Sequence, residues 1–281
     1  MPFRLANKSG RAVLVDDNGI YDLERHSAGR FGADPMDALG RHGELHEIAA
    51  GLPSTADAAF EVADLDICVP KPSKIFGVGL NYRTHAEEAN MEIPKSPVVF
   101  CKFNNCLAGA TSDVIIFGPT VDWEAELVVV MGSTARDIPA EEAWKHVAGL
   151  TCGQDITERA TQFASQPPQF DLGKSFDTFG PIGPCVVSID SVPDPARLHL
   201  TCEVNGERKQ ETFTDDLIFG VPEIIAFLSG ICTLEPGDLI FTGTPSGVGF
   251  TTGTFLQPGD VVVTSIEGLG SMNNRCIARP E

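Results

Sequence analysis

The stretch Val121-Asp-Trp-Glu-Ala-Glu-Leu-Val-Val-Val-Met131 decides the fold. Its apolar second half, rich in valine, has the composition of a strand inside a sheet, and a single strand is expected over 121–131. Side chains alternate along a strand, so Glu124 and Glu126 point the same way, roughly 7 Å apart. Two like charges on the inner face of a buried strand are costly unless something neutralises them. A hard cation held by oxygen ligands meets that need: Mg²⁺ or Mn²⁺, with Ca²⁺ also possible. The alternative is an edge strand with a solvated acidic face. Trp123 and Ala125, alternating with the acids, and the apolar continuation count against it.

Two further stretches offer partners. Leu150-Thr-Cys-Gly-Gln-Asp-Ile156 puts Asp155 at an apolar-flanked strand end, as a third metal ligand or as a turn or N-cap residue. Asn81-Tyr-Arg-Thr-His-Ala-Glu-Glu88 places His85 and Glu88 three apart, on one face of a short helix. A histidine oriented by a carboxylate is a general base; a surface salt pair is the alternative. Lys174, in a Gly- and Pro-rich loop, is either solvated or stabilises a developing oxyanion. Thr242-Gly-Thr-Pro-Ser-Gly-Val-Gly249 lacks the ending of a phosphate loop and reads as a backbone-donor loop able to hold a carboxylate. His42-Gly-Glu-Leu-His46 has chelating spacing but a misplaced acid, so no metal is assigned to it. The chain has no Gly-x-Ser-x-Gly elbow, which leaves a serine hydrolase triad unsupported.

The chain of 281 residues carries a net charge of −19. That argues against nucleic acid or an anionic membrane as partner. An acidic substrate stays open, because a bound metal reverses the local field. The N-terminus lacks the apolar core of a signal peptide, and no apolar run approaches the roughly 20 residues of a membrane span. A soluble, cytoplasmic protein is expected. The eight cysteines are scattered without a CxxC pair, which fits reduced core thiols.

Along the chain, residues 1–70 read as short strands and turns with a helical stretch near 35–50, forming a small N-terminal domain. The run Val69-Pro-Lys-Pro-Ser73 reads as a linker. Residues 71–281 then read as a β-rich α+β domain. In it, Pro139 to Leu150 is expected to be a helix, and Val221 to Ser229 another. Asn205-Gly206 signals a hairpin between 198–204 and 207–214.

Seven segments in order resemble the fumarylacetoacetate hydrolase family, in its short bacterial form with a small N-terminal domain. They are Lys74-Ile-Phe-Gly-Val-Gly-Leu-Asn-Tyr-Arg-Thr-His-Ala-Glu-Glu88, Phe100-Cys-Lys102, Asp122-Trp-Glu-Ala-Glu-Leu127, Gln154-Asp-Ile-Thr-Glu-Arg159, Gly173-Lys-Ser-Phe-Asp-Thr-Phe-Gly-Pro181, Phe241-Thr-Gly-Thr-Pro-Ser-Gly-Val-Gly249 and Ile266-Glu-Gly-Leu-Gly270. The resemblance implies a mixed β-roll and a homodimer. It implies Glu124, Glu126 and Asp155 as metal ligands, His85 with Glu88 as the dyad activating water, and Lys174 as a stabiliser of the leaving carbanion. Arg159, Gln162, Thr244 and Tyr82 fall among the groups that hold the substrate.

Two positions depart from the family pattern. Val78 stands where longer relatives carry a further aspartate ligand, and Gln154 where Asn is commoner. The loop 161–170 is less typical and is read as the segment that sets specificity. The implied reaction is hydrolysis of a C–C bond in a 2,4-dioxo acid, giving pyruvate and a carboxylic acid. Oxaloacetate decarboxylation, isomerisation or hydration of an unsaturated 2-oxo dicarboxylic acid, and a catalytically silent metal- and dicarboxylate-binding protein are the alternatives. Lys102, Arg159 and Lys174 are expected to make the pocket entrance locally positive.

Overall fold

A computed structural model of the chain describes residues 1–280. It is a strand-rich α+β fold. The chain opens with a meander of β1 (Arg4–Lys8), β2 (Arg11–Asp16) and β3 (Gly19–Asp22), followed by the short helices α1 (Leu23–His26), α2 (Pro35–Leu39) and α3 (His42–Ala50). Next come β4 (Ile75–Gly79), α4 (Arg83–Glu88), β5 (Val98–Cys101), β6 (Leu107–Ala108), β7 (Val114–Ile116) and β8 (Val121–Asp122). The centre holds β9 (Ala125–Met131), β10 (Val147–Gln154), β11 (Thr157–Glu158), α5 (Arg159–Gln162), α6 (Phe170–Gly173) and β12 (Gly180–Val187). A hairpin, β13 (His199–Val204) with β14 (Glu207–Phe213), leads to α7 (Val221–Ile231), β15 (Leu239–Phe241), α8 (Gly249–Thr252), β16 (Val261–Ile266) and β17 (Gly270–Ala278).

One large sheet runs β3-β2-β1-β12-β10-β9-β15-β4-β5, and a second runs β14-β13-β16-β17-β7. The large sheet crosses the expected boundary at residue 71, because β1 pairs antiparallel with β12, Leu5 opposite Val186. At its middle, β9 and β10 are buried along their whole length. Leu127, Val129 and Met131 face one apolar core. Val128 and Val130 face another, shared with Leu14, Leu39 and Phe241. Each such side chain contributes roughly 1.5–3 kcal/mol when fully buried. That rigid middle offsets the cost of the carboxylates at its end.

The expected strand 121–131 is broken at Trp123–Glu124. The Asp122 carboxylate accepts from Trp123 N at 2.8 Å, and Glu124 N donates to the Gln154 side chain at 3.0 Å. Side chains have taken over the donors that a ladder would use. The expected helix 139–150 is also corrected. A 3₁₀ segment covers Ala140–His146, and the chain then enters β10, Val147 opposite Met131. A short apolar run has no period that separates helix from strand, and the open edge of β9 decides it. The hairpin at Asn205-Gly206 is present, with φ of 55° and 77°, as is the helix at Val221. Each of the eight cysteines is free. Among the described residues, no helix is long and apolar enough to cross a membrane.

Candidate metal centre and active site

Glu124, Glu126 and Asp155 converge where β9 and β10 begin and end. One oxygen from each lies within 4.8 Å of the others, and all three residues are buried. Strand β9 delivers Glu126, and the bond from Glu124 N to the Gln154 side chain holds Glu124 just ahead of it. The third carboxylate arrives because Asp155 N bonds to Glu124 O at 2.9 Å, carrying the end of β10 alongside.

Two lysines divide Asp155 between them. Lys102 Nζ reaches Oδ1 at 2.7 Å and Lys174 Nζ reaches Oδ2 at 2.6 Å. Lys174 also donates to Glu124 Oε2 at 2.7 Å and to Thr157 Oγ1 at 2.8 Å. Arg159 takes the other side of Glu124, with Nη2 at 2.6 Å from Oε1. Burial would raise the Glu124 carboxyl, but Lys174 and Arg159 more than reverse this and hold it down at about 2. Burial would lower the Lys174 ammonium, yet Asp155 and Glu124 leave it raised. The expected positive entrance is therefore corrected. Lys102, Arg159 and Lys174 are 3%, 7% and 3% exposed, and their charges are spent on the chain's own carboxylates.

Glu126 is different. Its Oε2 accepts from Gly243 N at 2.7 Å, and among the described residues no cation forms an ion pair with it. Burial first, then the charges of Asp155 and Glu124, push its carboxyl well above the ordinary range. A divalent cation among the three carboxylates would relieve that stress. The donor set is all oxygen, as Mg²⁺ or Mn²⁺ prefers. The residues present fit such an ion.

The loop after β15 holds carboxylates, as its sequence suggests, but they are the chain's own. Gly243 N donates to Glu126, Gly247 N to Glu88 at 3.0 Å and Gly249 N to Asp122 at 2.7 Å. Gly243 sits at φ +105°, and a Cβ there would lie 2.8 Å from that of Asn81. Only glycine brings the amide this close to Glu126.

His85 Nδ1 is 3.2 Å from Glu88 Oε2, both side chains partly exposed. An ionised Glu88 can only accept, so Nδ1 is the donor and Nε2 is left as the basic nitrogen. Gln162 Oε1 accepts from Arg159 Nη1 at 3.0 Å. The Thr244 hydroxyl is already used, donating to Ala125 O at 2.9 Å and accepting from Gln210 at 2.8 Å. Tyr82 is fully buried, and its hydroxyl has no hydrogen-bond partner among the described residues. Burial and the nearby Glu126 charge raise its phenol. His42 and His46 face the carbonyls of Gly132 and Met1, not each other's metal.

Sequence reasoning gave Asp122 no role. It shares the strand parity of Glu124 and Glu126, the signal that could have found it. Its Oδ2 accepts Arg159 Nε and Nη2 and Phe250 N, while Oδ1 accepts Trp123 N and Gly249 N. A cavity of about 840 Å³ lies elsewhere, lined by Arg4, Arg197, His199, Phe213 and Glu267 among others, and no residue of the carboxylate cluster contributes to it. The chemistry is located by charge, not by this hollow.

The family model of the fumarylacetoacetate hydrolase C-terminal domain matches residues 74–277. A Dictyostelium discoideum protein described as a fumarylacetoacetate hydrolase domain-containing protein 2 homolog is 44% identical over 217 residues, 73% of this chain and 71% of its own. Bos taurus mitochondrial oxaloacetate tautomerase FAHD2B is 42% identical over 213 residues, 74% of this chain and 68% of its own. The crystal structure of maleylpyruvate hydrolase from Sphingobium sp., in complex with manganese(II) and pyruvate, has a TM-score of 0.82 and 30% identity, covering 99% of this chain and 100% of that one.

Proposed function

The chain belongs to the fumarylacetoacetate hydrolase family, and from that footing we propose that it hydrolyses a C–C bond of a 2,4-dioxo acid, giving pyruvate and a carboxylic acid. The observation that carries this reading is the pairing of an oxygen-only cluster, Glu124, Glu126 and Asp155, with a histidine oriented by Glu88. Glu124, Glu126 and Asp155 would hold a divalent cation, which would supply Lewis-acid polarisation of the bound 2-oxo acid.

The chain's own residues do the rest. His85 Nε2 takes a proton from water, which adds to the carbonyl carbon of the acyl group. Glu88 holds the ring in position and stabilises the imidazolium. The bond between the acyl carbon and the pyruvate methylene then breaks, and its electron pair stays with the pyruvate fragment. Lys174 and Arg159 hold Glu124 and Asp155 in the arrangement that would carry the cation facing that charge, and a proton returned from His85 completes pyruvate. Tyr82 offers a buried hydroxyl for the substrate beside Glu126. Gln162 holds the Arg159 fork in plane.

The kinship with an oxaloacetate tautomerase favours a second reading, in which the same dyad moves a proton between carbon and oxygen without water attack. One experiment separates the two. The Mn²⁺-loaded enzyme is given an acylpyruvate panel and oxaloacetate, with pyruvate, carbon dioxide and enol absorbance followed. Metal-dependent pyruvate release from an acylpyruvate supports hydrolysis. Enol–keto conversion alone moves the assignment to tautomerase, and carbon dioxide from oxaloacetate moves it to decarboxylase. A homodimer in the cytoplasm completes the proposal, tested by sedimentation velocity and cell fractionation.

A further inference from the structure

Phe163 and Phe250 are 42% and 50% exposed, although both are large apolar side chains. Their rings stack on each other, centroids 5.2 Å apart with planes 27° apart. They do not sit at random on the surface. The Phe250 ring lies 5.6 Å from the Arg159 guanidinium, which itself contacts Glu124. Phe163 follows Gln162 directly, and its amide bonds to Arg159 O at 3.0 Å.

The helix carrying Phe250 is fixed from two sides. Asp122 accepts from Gly249 N and Phe250 N, and Glu88 accepts from Thr251 Oγ1 at 3.1 Å. The carboxylate that orients His85 and the one that orients Arg159 therefore both position this aromatic lip. A half-exposed, stacked aromatic pair beside a polar centre is a surface for an apolar group.

The charges point the same way. Lys102, Lys174 and Arg159 are each ion-paired with a carboxylate of the chain. Arg83, close to His85 in sequence, is bound through Nη1 to the carbonyls of Asp216 and Leu217. Lys209, whose carbonyl lies against Gly247, is paired with Glu207 at 2.7 Å. Four of these five cations are taken up by carboxylates of the chain, and Arg83 is turned onto the carbonyls of Asp216 and Leu217.

We propose that Phe163 and Phe250 hold the acyl end of the substrate, selecting a monocarboxylic 2-oxo acid with an apolar or aromatic tail over a dicarboxylic one. The proposal rests on the reading of the site as one for 2-oxo acids. It names the tail that this chain accepts, which the family reading leaves open.

The test uses the Mn²⁺-loaded full chain and calorimetric binding of two 2-oxo acids that lack the cleavable 4-oxo group. One is 2-oxo-4-phenylbutanoate and the other 2-oxoglutarate. The phenyl compound is expected to bind tenfold or more tightly than the dicarboxylate. Phe163→Ala and Phe250→Ala should each reduce that ratio several-fold. Both rings are half exposed, and melting curves check that the variants fold. Phe163→Lys should move the ratio toward 2-oxoglutarate by supplying the missing cation. Tighter binding of 2-oxoglutarate by the wild type, or a ratio that no variant moves, overturns the proposal. Absence of binding by either compound overturns it together with the 2-oxo acid reading. The expected preference in an enzyme that fails to cleave acylpyruvates sinks hydrolysis alone and leaves the lip standing.

Discussion

Arg159 grips a single oxygen of Asp122 with two nitrogens, Nε at 2.9 Å and Nη2 at 2.6 Å. The partner oxygen of Asp122 is left to the amides of Trp123 and Gly249. One buried carboxylate thus sets the guanidinium, the break in the strand and the turn that carries Phe250. Asp122→Ala strips all of them at once. Breaking a buried pair from one side costs about 3–5 kcal/mol. Urea denaturation should show a loss of that size. Asp122→Asn keeps an acceptor for the amides and should lose less, while activity falls because Arg159 is no longer held. Equal stability in wild type and the alanine variant would refute the role.

Glu126→Gln should separate stability from metal binding. Glu126 is buried with one backbone donor and no ion-pair partner among the described residues, and glutamine preserves that acceptor while removing the charge. The metal-free variant should be as stable as the wild type or more so. Wild-type protein should gain about 2.7 kcal/mol at a hundredfold excess of Mn²⁺ over its dissociation constant. The variant should gain little. Thermal melts with Mn²⁺ and with chelator measure both, and a full Mn²⁺ shift in the variant would remove Glu126 from the ligand set.

What the sequence made legible follows from local chemistry. Strand parity put Glu124 and Glu126 together, and Asn205-Gly206 announced a turn needing positive φ at both residues. The break at Trp123 was hidden, because it depends on Asp122 and Gln154 side chains replacing ladder bonds. The place of Lys102 could not be read either. Its partners Asp155 and Phe179 lie 53 and 77 residues away, and only the closed fold brings them to one ammonium. Val147 to Leu150 looked like the continuation of a helix because a short apolar run takes its conformation from whichever neighbour it meets.

His85→Ala should leave folding and metal binding intact, since the ring is partly exposed and bonds only to Glu88 among the described residues. Loss of a positioned base typically costs about 10²–10⁴ in rate. The fall should appear in kcat for pyruvate release, with the Mn²⁺-induced melting shift unchanged. A variant retaining wild-type kcat would shift proton transfer to another group.

Acid should loosen the site through Glu158. Burial raises this carboxyl, but bonds from Thr120 Oγ1 and Thr161 N reverse that and leave it below the ordinary range. A depressed folded value means the stabilisation is complete above the unfolded value of about 4.3. It fades as pH falls through the lower folded value. Denaturation from pH 6 to pH 3 should therefore show the wild type losing its advantage over Glu158→Gln. A constant gap would show that the bonds to Glu158 do not favour its charged form.

The pairing of β1 with β12 has a consequence in time. Arg4 lies opposite Val187, so β1 leaves the ribosome long before its partner β12 exists. Until then the meander β1–β3 can satisfy only one edge of β1 from its own hairpin. Contacts of such sequence separation close slowly, and the open edge is exposed to association meanwhile. Asp155 directly follows β10, which β12 must flank from the other side. Pairing of the N-terminal segment with the large sheet thus waits for β12, and all three carboxylates of the cluster are made while the chain still carries a bare strand edge.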